Sequence, residues 1–194
     1  MTFRVLGIDP GLTRCGVGVV DIARDRTATL VAVEVLRTTA DQALEERLLD
    51  IGAGLERFLD EYQPTAVSLE RVFAQQNVRT VMGVAQASGV ALLLSARRGL
   101  VVGLYTPTEV KAALTGYGAA DKKQLGTMVA KVLRLDAIPK PADASDALAL
   151  AICHGWRGAP ALSSASGALT PAQQAWRAAE RSAGRTPANR RLDA

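Results

Sequence analysis

Apolar residues gather in short runs over the first third of the chain and recur at helical spacing over much of the remainder. The first run, Phe3, Val5, Leu6 and Ile8 with Arg4 as its one charge, predicts a strand buried on both faces. It stops at Asp9, and Pro10-Gly11 follows as a turn signal. Val17–Val20 continues as a hairpin partner and Ala28–Leu36 as a third strand, so the opening predicts an antiparallel meander. Leu44, Leu48, Ile51, Leu55, Phe58 and Leu59 follow helical periodicity, with Thr39 or Asp41 placed to cap the helix and Gln63-Pro64 to end it. Thr65–Leu69 is a short strand reached through that helix, hence parallel to the first, and it ends on Glu70.

Residues 71–77 read as a polar loop carrying one aromatic, Phe73. The helix expected over Asn77–Ala96 is lined with Gly83, Ala85, Ala87, Ser88, Gly89 and Ala91, small residues that permit close approach to the sheet or to a partner subunit. Gly99–Tyr105 is a fifth strand. Thr106-Pro107-Thr108-Glu109 opens a short helix as a capping box with Pro at the first helical position, and Thr115-Gly116 closes it. Asp121 starts another helix reaching Leu135, and the Pro-rich link 138–141 leads to a last one over Ala142–Gly155. The pattern is α/β, with residues 1–156 as one domain. Residues 157–194, rich in Ala, Ser, Pro and Arg without sustained periodicity, are expected to be a flexible basic tail.

Length and composition narrow the partners. A chain of 194 residues with 48% hydrophobic content suits one packed domain with a tail. Met1–Arg4 runs straight into a strand pattern and no apolar stretch approaches bilayer length, so the expectation is a cytoplasmic protein without membrane attachment. Cys15 and Cys153 make neither a disulfide framework nor a metal spacing and read as reduced, buried residues. The net charge of +4 lies wholly in the tail, because residues 1–155 hold 17 basic and 17 acidic side chains. Within that neutral part, residues 15–70 carry eleven acids against five bases, and residues 71–140 ten bases against three acids. Such segregation points to one basic working surface suited to a polyanion.

Four acids stand out against this background. Asp9 and Glu70 each sit at the carboxyl end of an apolar strand, where a lone carboxylate is costly. Taken alone, Asp9 is equally a turn former. Asp143 and Asp146, three apart, project from one face of the last helix. Asp143 also suits the helix dipole, whereas Asp146 lies among Ala144, Ala147, Leu148, Leu150 and Ile152 in a helix apolar nearly all round. A metal site or a set of buried basic partners makes sense of these carboxylates. Hard oxygen donors select Mg²⁺ or Mn²⁺, and paired Mg²⁺ ions are a standard means of phosphodiester hydrolysis.

The ordered set GIDPG, LERVF and KPADASDALALAICH closely resembles the RuvC family of Holliday-junction endonucleases across residues 3–155. That resemblance implies a ribonuclease-H-like five-stranded mixed sheet flanked by helices. It also implies a homodimer that cuts symmetrically across four-way DNA junctions in homologous recombination and repair, beside a branch-migration motor. By the same resemblance Asp9, Glu70, Asp143 and Asp146 bind two Mg²⁺ ions, with Mn²⁺ as substitute, and activate the attacking water. Lys111 and Lys122 match family lysines near the scissile phosphate, with Lys123 one position out of register. Phe73 matches an aromatic that stacks on bases at the junction centre. Arg71, Arg79 and Lys123 extend the expected DNA-binding set, and the small-residue helix resembles the family's dimerisation helix. His154, the single histidine, is expected to be structural.

Three rival readings share parts of this pattern. Asp9-Pro10-Gly11-Leu12-Thr13 also fits the phosphate loop of the sugar-kinase and actin superfamily, but the second loop is missing and the chain is short for two such domains. A non-catalytic junction-binding module would gain nothing from carboxylates beside DNA phosphates. A related nuclease acting on RNA–DNA hybrid or transposon ends is separated least well by residues alone.

Overall fold

The three opening strands pair as the pattern predicts. β1 (Phe3–Asp9) and β2 (Arg14–Ile22) run antiparallel from Phe3 opposite Ile22 to Asp9 opposite Gly16, and β3 (Ala28–Arg37) extends the meander with a bulge at Val19/Val20. This computed structural model describes residues 2–71 and 78–158. β4 (Ala66–Glu70) and β5 (Val101–Tyr105) add parallel strands on the other side of β1, giving the order β3-β2-β1-β4-β5. The basic residue of β1 is neutralised in place. Arg4 grips Asp21 on β2 bidentately, Nε to Oδ1 at 2.7 Å and Nη2 to Oδ2 at 2.8 Å.

Helices cover both faces of the sheet. α1 (Leu44–Tyr62) and α2 (Val78–Arg97) pack on one side, where Ile51, Leu55, Phe58, Leu59, Ala87, Ala91 and Leu94 meet Leu6, Ile8, Val17, Val19, Val67 and Leu69. α5 (Ala142–Gly158) crosses the opposite side, with α3 (Pro107–Thr115) and α4 (Lys122–Leu133) packed on it through Val110, Leu114, Leu125 and Val129. α5 is thus enclosed between sheet and helices, which accounts for its being buried all round from Ala147 to Gly155. No helix among the described residues is long and apolar enough to cross a membrane. Cys15 and Cys153 are both buried and unpaired.

Element boundaries follow the predicted ones to within a few residues, with one misplaced cap. α1 begins at Leu44 behind Ala43, whose backbone N–H donates to Glu46 Oε2 at 3.2 Å, and neither Thr39 nor Asp41 caps it. Thr39 is drawn instead into a local turn, its backbone N–H donating to Gln42 Oε1 at 2.8 Å. The capping box of α3 forms as expected, with Glu109 N–H donating to Thr106 Oγ1 at 3.1 Å and Thr106 N–H to Glu109 Oε2 at 2.8 Å. On α2, Ala87, Ser88 and Ala91 turn inward, whereas Met82, Leu92 and Leu93 stand exposed.

Candidate active site

Period-two alternation decides where the strand-end acids point. Along β1, Leu6 and Ile8 serve the α1/α2 side, so Asp9 and Gly7 fall on the α5 side. Along β4, Val67 and Leu69 likewise leave Glu70 on the α5 side. The parallel register pairs Ile8 with Leu69, which sets Asp9 and Glu70 at neighbouring positions where the two strands end.

Glycine brings α5 down to them. A Cβ at Gly16 would collide with the backbone oxygen of Asp143, and one at Gly7 with that of Ala147. Helix backbone therefore rests directly on strand backbone, and Asp143 and Asp146 arrive beside Asp9 instead of a side-chain layer away. Alanine at 144, 147 and 151 completes the close fit, each fully or almost fully buried.

The electrostatics register this gathering of like charge. Burial, reinforced by Glu70, Asp146 and Asp143, pushes the Asp9 carboxyl up to about 8. Glu70 is also raised, first by burial, with the adjacent Asp9 counteracting. Asp146 is also raised, first by burial, with Lys122 counteracting. Two cations answer the acids from the rim. Lys122 Nζ lies 3.4 Å from Asp146 Oδ2, and Arg14 Nε lies 3.1 Å from Asp143 Oδ2. Lys122 is itself raised, chiefly by the Asp146 charge. Glu70, Lys111, Lys122 and Asp146 line a common cleft of about 170 Å³ floored by Val110 and Leu125.

The donor set is all carboxylate oxygen, which fits a hard divalent cation and not zinc. A buried Asp9 that keeps its proton among three other acids marks a place where positive charge would be stabilised. As the side chains stand, no three acid, histidine or cysteine groups among the described residues converge closely enough to hold an ion. Asp143 and Asp146 lean toward Arg14 and Lys122, so ligation requires them to turn inward.

The other sequence candidates are distributed around this centre. Lys123 lines a neighbouring cleft and does not enter the acid one. Arg71 is exposed immediately after Glu70, its backbone N–H donating to Tyr105 O at 2.8 Å. Arg79 falls in the first turn of α2, and Phe73 lies outside the described residues. His154 is buried, with Nδ1 2.9 Å from Tyr105 Oη and its value lowered by burial, so it is built into the core. Arg14 and the glycines escaped the sequence reading. Gly16 and Gly18 alternate on one face of β2, which is the signal for a helix seated on a smooth strand.

Comparison with known proteins agrees with this architecture. The family model described as crossover junction endodeoxyribonuclease RuvC matches residues 5–154. A protein of that name from Leifsonia xyli is 65% identical, covering 99% of each chain. One from Thermobifida fusca is 66% identical, covering 80% of this chain and 85% of its own. The solved structure of Thermus thermophilus RuvC in complex with Holliday junction substrate superimposes with a TM-score of 0.77 at 35% identity, over 80% of this chain and 94% of that one. The five-stranded mixed sheet with flanking helices is the ribonuclease-H-like fold of those structures. The chain belongs to the RuvC family of crossover junction endodeoxyribonucleases.

Proposed function

We propose that the protein is a structure-selective endonuclease that resolves four-way (Holliday) DNA junctions by paired, symmetric phosphodiester hydrolysis during homologous recombination and repair. The observation that carries this reading is the gathering of Asp9, Glu70, Asp143 and Asp146 from two strands and a helix, with Glu70 and Asp146 lining a cleft shared with Lys111 and Lys122. The likeness to the Thermus thermophilus protein, whose structure contains junction substrate, supports the choice of DNA form.

The four acids are assigned as ligands of two Mg²⁺ ions, replaceable by Mn²⁺. Bound there, such ions supply a nucleophilic water at neutral pH and charge stabilisation at the phosphate. The chain's own contribution is positional. The β1/β4 register sets Asp9 beside Glu70, and Gly7 and Gly16 fix the depth of Asp143 and Asp146. Lys122 and Lys111 hold positive charge where a scissile phosphate would enter. Arg71, Arg79, Lys123 and Phe73 are assigned to DNA binding.

A substrate with two equivalent strands to cut calls for two equivalent sites, and a two-fold homodimer provides them. The exposed Met82, Leu92 and Leu93 on α2 give such a dimer an apolar contact. Residues 1–156 form the nuclease unit, 157–194 a basic appendage, and the setting is the cytoplasm beside a branch-migration motor. The test is cleavage of a labelled synthetic four-way junction beside linear duplex and RNA–DNA hybrid, with and without Mg²⁺. Paired symmetric nicks on the junction alone, only with metal, are expected. Cutting of the hybrid instead would overturn the substrate, and binding without cutting in Mg²⁺ or Mn²⁺ would overturn the enzyme.

A further inference from the structure

The cleft that Lys123 lines is separate from the acid cleft, yet α3 and α4 contribute to both. On α3, Lys111 lines the acid cleft, and Thr115, one turn further on, lines the second. On α4, Lys122 belongs to the acid cleft, while Lys123 and Gln124 belong to the second. Four residues of helix correspond to about 6 Å, so the two clefts are about one helical turn apart along α3.

The second cleft is larger, about 400 Å³, and lined mainly by apolar surface from Tyr117, Ala120 and Met128. Tyr117 is the unusual member. Its side chain is exposed, with 64% of the residue accessible, in a loop whose backbone is tightly held. Thr115 Oγ1 accepts the Tyr117 N–H at 3.1 Å and lies 2.8 Å from Lys111 O and 3.0 Å from Tyr117 O. Gly116 makes the left-handed turn (φ 76°) that ends α3, and a Cβ at Gly118 would press on Thr108. The ring is presented to solvent from a hydrogen-bonded turn, leaving an aromatic face open for stacking.

We propose that this cleft is a nucleobase-binding subsite, in which Tyr117 stacks on a base of the nucleotide next to the one being cut. The proposal rests on the nuclease reading above for the strand's position. Charge complementarity selects the occupant, since Lys111, Lys122 and Lys123 flank the path between the clefts and draw a phosphodiester backbone along it. Gln124 and Thr127 add polar groups to the lining. Gln124 Oε1 is taken by the Asp121 N–H, and the Thr127 hydroxyl donates to Lys123 O. This leaves the Gln124 amide NH2 as donor and Thr127 Oγ1 as acceptor for a base edge. The subsite therefore adds base preference beside the cut, whereas the acid cleft acts on the phosphate alone.

The test uses full-length protein and a synthetic four-way junction with 2-aminopurine placed, one site at a time, at the nucleotides flanking the cut, without divalent metal. Wild type and Tyr117→Phe are expected to quench the probe at one flanking position, and Tyr117→Ala is not. Loss of one aromatic stack weakens junction binding about 5- to 100-fold, and Tyr117→Phe restores it. Equal quenching by wild type and Tyr117→Ala, or no quenching at any flanking position, would overturn the subsite. A Tyr117→Ala variant that changes only self-association would also overturn it, giving the cleft to a second copy of the chain. Junction cutting in Mg²⁺ by wild type, measured alongside, separates the two claims. Failure to cut with Tyr117-dependent quenching intact would defeat the nuclease reading alone.

Discussion

The two faces of one sheet are built by different rules. Toward α1 and α2, Leu6, Ile8, Val17, Val19, Val67 and Leu69 meet Ile51, Leu55, Phe58 and Leu59 as interlocking aliphatic and aromatic side chains. Toward α5, Gly7 and Gly16 let helix backbone rest on strand backbone, and the same face ends in Asp9 and Glu70. Bulk apolar burial supplies stability and tolerates repacking. The α5 face carries an apolar cluster of its own around Val5, Val20, Ile22, Leu148, Leu150 and Ile152, but at Gly7 and Gly16 it also fixes distance, on which the four carboxylates depend. Both faces supply stability, and the chemistry is confined to the α5 side.

That division is open to experiment, and the largest effect is expected at the acids. Asp9→Asn, Glu70→Gln or Asp146→Asn should each lower junction cutting about a thousand-fold or more, since metals held there would supply several kcal/mol of transition-state stabilisation. Junction binding should persist in a gel-shift assay, because each change removes negative charge from the DNA face. Normal cutting by Asp146→Asn would remove the site from this face.

The next effect is on pH dependence. Asp9 keeps a proton in the folded, metal-free protein up to about 8, whereas the unfolded chain releases it near 3.8. Between those values the folded state binds the extra proton, so stability falls as pH rises and levels off above about 8. One retained proton sets a slope of at most about 1.4 kcal/mol per pH unit. Denaturant melts across this range should show the decline in chelator, and Mg²⁺ should flatten it by taking the proton's place.

Core substitutions then separate the faces. Leu55→Ala on the α1 side should cost about 2–5 kcal/mol while the folded fraction cuts at the wild-type rate. Gly16→Ala should cost about 1–3 kcal/mol and impair cutting as well, because α5 must lift away from β2. The smallest effect has the opposite sign. A Cβ at Gly52, within α1, would meet only Val90 Cγ1 at 3.5 Å. Gly52→Ala should therefore stabilise by about 0.5–1 kcal/mol, read as a raised melting temperature with unchanged cutting.

Much of this was legible in the sequence because it is local. Asp9 and Glu70 announce themselves as charges that stop apolar runs, and Asp146 as an acid inside an apolar helix. The capping box at Thr106–Glu109 is a four-residue pattern and formed as read. Non-local facts were hidden. Arg14 meets Asp143 across 129 residues of chain, and Gly7 and Gly16 read as strand-weakening residues until α5 lies on them. The α1 cap was misread because Thr39 found a nearer partner in Gln42. Tyr117 gave no signal, since an aromatic between two glycines reads equally as a loop residue.

The most direct test of the glycine-seated acid site is Mn²⁺ binding, followed by calorimetry and electron paramagnetic resonance, in wild type, Asp146→Asn, Gly16→Ala and Leu55→Ala. Two ions per chain are expected for wild type and for Leu55→Ala. Weakened or single-ion binding is expected for Asp146→Asn and Gly16→Ala. Unaltered Mn²⁺ binding by both of those variants would contradict the account, by placing the metal away from the α5 face.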